Sequence, residues 1–187
     1  MVQIRPVKPV KLFCGMIAWN EDVLKTAQGT LTSLFGDIDQ QSDIFPFPST
    51  DYYDKEMGNN LLRKFVSFVE LIDPARLADI KVKTNSIEKE FAVEQDGGKR
   101  RTVNLDPGYV TPAKVILATA KNFSHRIYLR DGIYAETTMN FDKNGCIHHD
   151  WTYPDFKLGR YNKFFLELRK LIMAVDPADY CLLHSNS

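Results

Sequence analysis

The chain has 187 residues, 44% of them hydrophobic and 12% aromatic, which is enough to build one large domain with its own core. Its 24 basic and 24 acidic side chains cancel, so it lacks the positive charge expected of a protein that binds duplex nucleic acid. The longest apolar run, at 115–118, is far shorter than the roughly 20 residues that span a bilayer. We therefore expect no membrane segment, while a local pocket for a small anion stays compatible with neutrality.

The cysteines and the N-terminus predict a cytoplasmic protein. An odd number of widely spaced cysteines is not a disulfide framework. The apolar stretch at 12–19 is too short for an export signal and lacks a cleavage site. We expect one domain over residues 1–187, with an irregular lead-in at 1–9 and a loosely held tail at 176–187.

The first predicted elements are a buried strand and a capped helix. Residues 11–19 are mostly apolar, which is typical of a strand buried on both faces. Asn20 is a suitable N-cap, and Glu21 and Asp22 stand in the first turn, where the helix dipole favours acids. Gly36 then ends the helix.

Two strands, a helix and a short strand are expected next. The strands cover 37–47 and 63–72, and the side chains of the second alternate. Asp73 and Pro74 begin a helix, as its cap and first helical residue. A short strand follows at 102–105, so the first six elements have the ferredoxin-like order β-α-β-β-α-β.

The second half of the sequence predicts another helix, two hairpins and a last helix. Residues 111–120 follow a helix start at Thr-Pro and are apolar nearly all round, which indicates a buried helix. A hairpin over 124–141 turns at Gly132, and a second turn contains Gly145. The last helix covers 160–175. The fold class is α+β, with a single mixed, mainly antiparallel sheet packed with helices.

Polar residues gather at the start of the predicted third helix. In the segment NLDPGYVTP (104–112), Gly108 permits a backbone conformation that other residues resist, and the free amides of a helix start attract phosphate. Asp106 would repel a bare anion, so a metal-bridged phosphate or a hydroxyl donor suits it better. Asp106, Gly108 and Tyr109 are candidate ligand-binding residues, although Asp106 is equally typical of a turn cap.

The predicted hairpin suggests an acid–base pair. Counting back from a two-residue turn places Ile127 opposite Glu136 and His125 opposite Thr138. His125 and Glu136 then share a face as diagonal neighbours, roughly 7 Å apart. A carboxylate beside an imidazole raises the pKa of the imidazole and fixes its tautomer, as a general acid or base requires. His125 and Glu136 are the candidate catalytic residues, and a structural His–Glu pair would have the same pattern.

Three cations are candidates for binding an anion. Lys114 and Lys121 are seven residues apart and would share a face of the predicted third helix, although lysines on a buried helix also serve to reach the surface. Arg126 points to the hairpin face opposite Glu136, together with Tyr128.

Two polar-aromatic loops complete the candidate pocket. Asp51 and Tyr52 lie in the loop at 50–53, and Tyr153 lies in the segment WTYPD (151–155). Loops of this composition often contact ligands, and their tyrosines also cover cores.

Several common sites are not expected. Cys146 and His148 share a strand face, but no second cluster is spaced to complete a zinc tetrahedron, so no metal site is predicted. The chain lacks the P-loop, G-x-S-x-G and G-x-G-x-x-G motifs. P-loop, serine-hydrolase and dinucleotide functions therefore lack support, and no cofactor can be named.

An ordered set of motifs resembles the bacterial Domain of Unknown Function 4416 family over nearly the whole chain. The motifs are KLFCGMI (11–17), FPFPSTDYY (45–53), RKFVSF (63–68), LIDP (71–74), DIKVKTN (79–85), NLDPGY (104–109), SHRIYL (124–129), GIYAE (132–136) and WTYPD (151–155). The resemblance implies no established activity. Some members are labelled GTP-binding, but this chain lacks both the P-loop and an Asn-Lys-x-Asp signature, so a GTPase of that class is not expected.

The leading hypothesis is a small polar, phosphate-bearing ligand, nucleotides included, in a pocket formed by 104–112, 124–136 and 50–53. Whether the protein is an enzyme is left open, as is its oligomeric state. The alternative is an accessory subunit or a non-catalytic module that binds RNA or protein. An RNA-binding module would need Tyr128 and Tyr134 on one exposed face, which the predicted register denies.

Overall fold

The computed structural model describes residue 3 and residues 6–47, 57–95 and 98–175. The strands are β1 (Val10–Ala18), β2 (Ile38–Gln41), β3 (Phe45–Phe47), β4 (Leu61–Ile72), β5 (Val93–Gln95), β6 (Gly98–Arg100), β7 (Val103–Val110), β8 (Lys114–Thr119), β9 (Ile127–Arg130), β10 (Ile133–Phe141) and β11 (Cys146–His148). The α-helices are α1 (Glu21–Phe35), α2 (Leu77–Glu90), α3 (Pro154–Lys157) and α4 (Asn162–Ala174), and a 3₁₀ turn at Pro74–Arg76 precedes α2. Within these parts of the chain, no helix has the length and apolar composition needed to cross a bilayer.

Nine strands form one sheet, and every strand pair in the described residues is antiparallel. The order is β11-β10-β8-β7-β1-β4-β2, with β3 beside β4 and β9 beside β10. Strand β4 lies between β1 and β2, and β7 lies on the other side of β1. This is the split βαβ arrangement of the ferredoxin-like order, so the predicted α+β class and the predicted order of the first half are confirmed.

Local capping signals fix the start and end of α1 and the start of the turn before α2, as predicted. The Asn20 side chain accepts a hydrogen bond from the Val23 amide at 2.9 Å, and Gly36 ends α1 with φ +90°. The Asp73 carboxylate accepts a hydrogen bond from the Ala75 amide at 2.8 Å, which starts the 3₁₀ turn that leads into α2.

The sheet carries helices on both faces. All nine residues of β1 are buried, and alternate side chains of a strand point to opposite faces. Leu12 and Met16 pack in a core with α1 and α2, whereas Phe13 packs with the aromatic side chains of α4. The central strand therefore contributes to two cores at once.

The predicted third helix is wrong, because residues 114–119 form strand β8 between β7 and β10. Val115 and Leu117 pack toward α4, while Ile116 and Ala118 pack against the start of α2. A short apolar run buried on both faces has no periodicity that separates a strand from a helix. The β-branched Val115 and Ile116 favour the strand.

The predicted register of the hairpin is also wrong, although its turn is correct. Asp131 and Gly132 have φ of +53° and +73°, as a two-residue hairpin turn requires. An irregularity after Ile133 shifts the pairing, so that Tyr128 lies opposite Tyr134. A bulge of this kind moves every later residue by one position, and a count from the turn cannot detect it.

Candidate functional site

A cavity of about 490 Å³ opens where α2, β7 and β8 meet the segment before α3. Its basic side chains are Arg63, Lys81, Arg101, Lys121 and Arg126, and its acidic ones are Glu88, Asp106 and Asp155. Five cations and three anions leave an excess of two positive charges. The volume falls in the range of small-molecule sites.

Asp106 lies at the centre of the charged floor of the cavity. Its carboxylate contacts Arg63 Nη2 at 3.5 Å and Lys81 Nζ at 3.4 Å, and it accepts a hydrogen bond from Asn104 Nδ2 at 2.6 Å. Arg63 also pairs with the buried Asp155. The Asp106 side chain is 26% exposed, so its oxygens can also accept a hydrogen bond from a guest molecule.

Helix α2 presents three polar side chains to the cavity. Lys81, Asn85 and Glu88 are spaced by four and three residues, which places them on one helical face. Lys81 and Glu88 are bound to the backbone of β7, because Lys81 Nζ donates to the Leu105 carbonyl at 2.6 Å and the Leu105 amide donates to Glu88 Oε1 at 2.7 Å. The Asn85 side chain makes no hydrogen bond within the described residues.

Glu88 is a carboxylate whose charge is costly in this position. Burial raises the pKa of Glu88, and the nearby cations Lys81 and Arg101 oppose that rise. Lys81 Nζ lies 3.8 Å from one oxygen and Arg101 Nη1 lies 3.3 Å from the other. The side chain therefore joins α2, β7 and two cations in one network.

Arg126 is fixed at the wall of the cavity by three hydrogen bonds. Its Nε donates to Glu136 Oε2 at 2.8 Å, its Nη1 to the Lys121 carbonyl at 2.9 Å, and its Nη2 to the Tyr153 hydroxyl at 3.0 Å. A guanidinium has five N–H donors, so two remain for another acceptor. The side chain is 11% exposed.

The predicted contact between His125 and Glu136 is present. His125 Nε2 lies 3.1 Å from Glu136 Oε2, the oxygen that also accepts from Arg126. Glu136 is 2% exposed, and neither His125 nor Glu136 lines the cavity. The prediction that Arg126 faces away from Glu136 is wrong, because residues 124–125 form a turn before β9 and do not alternate as strand residues do.

Tyr153 is a neutral donor beside Arg126. Burial raises the pKa of Tyr153, and the nearby Glu136 and Asp106 raise it further. Its hydroxyl accepts from Arg126 and keeps its own proton for an acceptor in the cavity. The sequence prediction for Tyr153 therefore coincides with a cavity-lining position.

A stack of rings lies next to this group and was not predicted. The Trp151 ring is stacked with His125 at 5.3 Å and with His149 at 4.7 Å between centroids. Trp151 Nε1 donates to the Thr137 carbonyl at 2.9 Å. The stack holds the His125 ring in position. No local sequence pattern predicts this stack.

Of the other predicted residues, Lys121 lines the cavity and Lys114 does not. Lys114 is the exposed first residue of β8 and Lys121 follows the end of that strand, so the two lysines do not share a helix face as predicted. No helix follows Gly108 and Tyr109, which lie within β7, so the predicted helix-terminus anion site is wrong. Asp51 and Tyr52 lie outside the described residues.

Gly108 has a packing role. A Cβ at this position would meet the Ile116 carbonyl oxygen at 2.2 Å and the Phe13 ring at 2.6 Å. Tyr109 is half-buried between two cores, and burial raises its pKa. Both residues serve the contact between β7 and β8.

Sequence reasoning missed the contribution of α2 and of Arg63, Arg101 and Asp155. A signal was available on α2, where polar Lys81, Asn85 and Glu88 recur on one face. In the described part of the chain, no three His, Cys, Asp or Glu side chains are arranged to hold a metal ion.

No curated protein and no solved structure matches the chain. A family model described as "Domain of unknown function (DUF4416)" matches residues 8–171, a span that contains every cavity-lining side chain described above. The chain belongs to the DUF4416 family.

Proposed function

We propose that the cavity binds a small polar molecule that carries a phosphate group, a class that includes nucleotides. The observation that carries the proposal is Arg126, a guanidinium held rigidly at the wall with two donors left over. Planar guanidinium groups bind phosphate oxygens in pairs. With Glu136, the partner of Arg126, counted beside the three acidic residues of the lining, the five cations still leave an excess of one positive charge, which favours an anion.

The cavity offers different partners to different parts of such a molecule. Arg126 and Tyr153 donate hydrogen bonds beside Lys121, which suits a phosphate. The Asp106 carboxylate suits a hydroxyl donor instead, and the Asn85 amide can both donate and accept. Apolar side chains such as Phe47 and Leu117 line the remaining wall and suit a less polar part of the ligand.

The proton-transfer role of His125 and Glu136 stays a prediction. Their 3.1 Å contact is compatible with it. The buried Glu136, however, also bonds Arg126 and does not line the cavity, which favours an orienting role.

The test measures binding to the full chain by calorimetry and by thermal shift. The probes are inorganic phosphate, ribose 5-phosphate and nucleoside monophosphates, each phosphate ester with its unphosphorylated counterpart. Phosphorylated probes should raise the melting temperature, because binding to the native state alone stabilises it. The proposal fails if no phosphorylated probe binds at millimolar concentration, or if each binds no better than its counterpart.

The variant Lys121→Gln locates the site. Loss of one charged contact to phosphate should weaken binding about five- to tenfold. Lys114→Gln removes an exposed lysine at the other end of β8, outside the cavity, and should leave affinity unchanged. Equal losses in both variants would indicate a general charge effect rather than this site.

One observation favours a second candidate function, the binding of single-stranded RNA. The Tyr128 and Tyr134 rings lie 5.4 Å apart on one face of the hairpin, and exposed aromatic rings can stack on bases. The nearby Arg130 is already paired with Asp79 and Asp131, which does not favour a phosphate backbone. Filter binding of an unstructured oligonucleotide tests this candidate, which requires an affinity that falls with salt and with Tyr128→Ala.

A further inference from the structure

The part of β7 that borders the cavity has its backbone groups bonded to helix α2. Within the described residues, β8 pairs only with the last part of β7, from Gly108 to Val110. Before that point, the Leu105 carbonyl accepts from Lys81 Nζ and the Leu105 amide donates to Glu88 Oε1. A guest molecule therefore meets side chains on this side of the cavity rather than the backbone of a strand edge.

Two side chains on this side of the cavity keep hydrogen-bonding capacity for a guest. The Asp106 carboxylate has about four acceptor sites. In the described part of the chain it contacts Lys81, Arg63 and Asn104, so about one acceptor site remains. The Asn85 side chain forms no hydrogen bond there. Asn85 follows Lys81 by one helical turn on the face that lines the cavity, so the amide and the carboxylate border the same part of the cavity.

Hydroxyl groups match the hydrogen-bonding needs of these two side chains. An ionised carboxylate accepts hydrogen bonds and donates none, whereas an amide donates through its nitrogen and accepts through its oxygen. A hydroxyl can donate to Asp106 while its own oxygen accepts from Asn85 Nδ2, and a neighbouring hydroxyl can donate to Asn85 Oδ1. Carbonyl groups and alkyl chains offer no proton to Asp106. The pair therefore suits adjacent hydroxyls.

We propose that the phosphate-bearing ligand also carries adjacent hydroxyl groups, as sugar phosphates and nucleotides do, and that Asn85 and Asp106 select it by these hydroxyls. The inference rests on the proposed phosphate site and adds an orientation, with the phosphate at Arg126 and Tyr153 and the hydroxyls toward α2. The carboxylate repels the phosphate and so disfavours the reverse orientation. A ligand without hydroxyls would displace water from Asp106 and offer no donor in its place, which lowers its affinity.

Two phosphate esters with the same ring test the requirement for hydroxyls. Ribose 5-phosphate carries hydroxyls on its ring, and tetrahydrofurfuryl phosphate has the same ring and phosphate without them. Calorimetry on the full chain should give ribose 5-phosphate an affinity higher by about tenfold or more, as expected for hydrogen bonds to a charged group. Equal affinities would overturn the inference and leave the phosphate site standing. Binding of neither ester would overturn the proposed function, and this inference with it.

The variant Asn85→Leu assigns the selectivity to the amide, because it nearly keeps the size of the side chain and removes its hydrogen-bonding groups. It should weaken the binding of ribose 5-phosphate about five- to tenfold and should not weaken that of tetrahydrofurfuryl phosphate. The control is Ser86→Leu, at the exposed neighbouring position on α2, which should change neither affinity. The inference fails if Asn85→Leu weakens both esters equally, or weakens neither.

The variant Asp106→Asn tests the share of the carboxylate. It removes a negative charge from the cavity, which strengthens the binding of both esters, so the measured quantity is the ratio of their two affinities. This ratio should fall by about threefold or more, because an amide oxygen accepts a hydrogen bond more weakly than a carboxylate does. A ratio equal to that of the wild type contradicts the proposed role of Asp106. If the variant loses the circular dichroism of the native chain, the result for Asn85→Leu decides.

Discussion

At the residue scale, Glu88 is a titratable side chain whose protonation depends on folding. It accepts the Leu105 amide, lies beside Lys81 and Arg101, and is 7% exposed. Burial raises its pKa above the usual 4.5, so the native state holds this proton at a pH where the unfolded chain has lost it. The ionised side chain therefore costs stability, and the cost is complete only above the raised pKa.

The raised pKa predicts a specific pH dependence for Glu88→Gln, which keeps an oxygen for the Leu105 amide. Between pH 4.5 and the raised pKa, Glu88 binds more protons in the native state than in the unfolded state. The free energy of unfolding of the wild type therefore falls as the pH rises through this window, by at most about 1.4 kcal/mol for each pH unit. The variant lacks this contribution. The stability of the wild type relative to the variant should therefore decline from pH 4 upward, as measured by urea unfolding.

The control for this measurement is Glu90→Gln, which removes a carboxylate from an exposed position on the same helix. It reports the effect of losing one negative charge from α2. If the two variants show the same pH dependence relative to the wild type, the buried position of Glu88 is not the cause.

At the scale of elements, local signals predicted local structure well. Caps such as Asn20 act within one turn, so the bounds of α1 followed from its own sequence. Strand β8 was assigned to a helix because its burial on both faces depends on β7, β10, α2 and α4, which are contributed by distant parts of the chain. The hairpin turn was readable from Asp131 and Gly132, whereas the irregularity after Ile133 was not.

The candidate site was harder to predict, because its contacts join distant segments. Arg63 contacts Asp106, which lies 43 residues later in the sequence, and Asp155, which lies 92 residues later. No pattern within one element predicts such pairs. The sequence predicts ligand-binding roles for Asp106, Lys121, Arg126 and Tyr153, and all four line the cavity. Loops and strand ends bring polar groups to a cavity more often than strand centres do.

At the scale of the whole molecule, the two larger cores share one sheet. The core beneath α1 and α2 contains Leu24, and the core beneath α4 contains Phe165. Strand β1 supplies alternate side chains to both, so a change that disorders β1 in one core also removes the side chains that β1 contributes to the other. Elements that share side chains in this way are expected to unfold together.

This sharing predicts that damage in one core is felt in the other. Leu24→Ala removes a buried side chain and should cost about 2–5 kcal/mol. The chain has two tryptophans, Trp19 and Trp151, so Trp19→Phe leaves Trp151 as the single fluorescent probe, bonded to β10 and outside the core that holds Leu24. In that background, urea unfolding followed by Trp151 fluorescence and by far-ultraviolet circular dichroism should give coincident curves, and Leu24→Ala should shift both equally. If Leu24→Ala shifts the dichroism curve and leaves the fluorescence curve in place, the layers unfold separately, and β1 does not couple them.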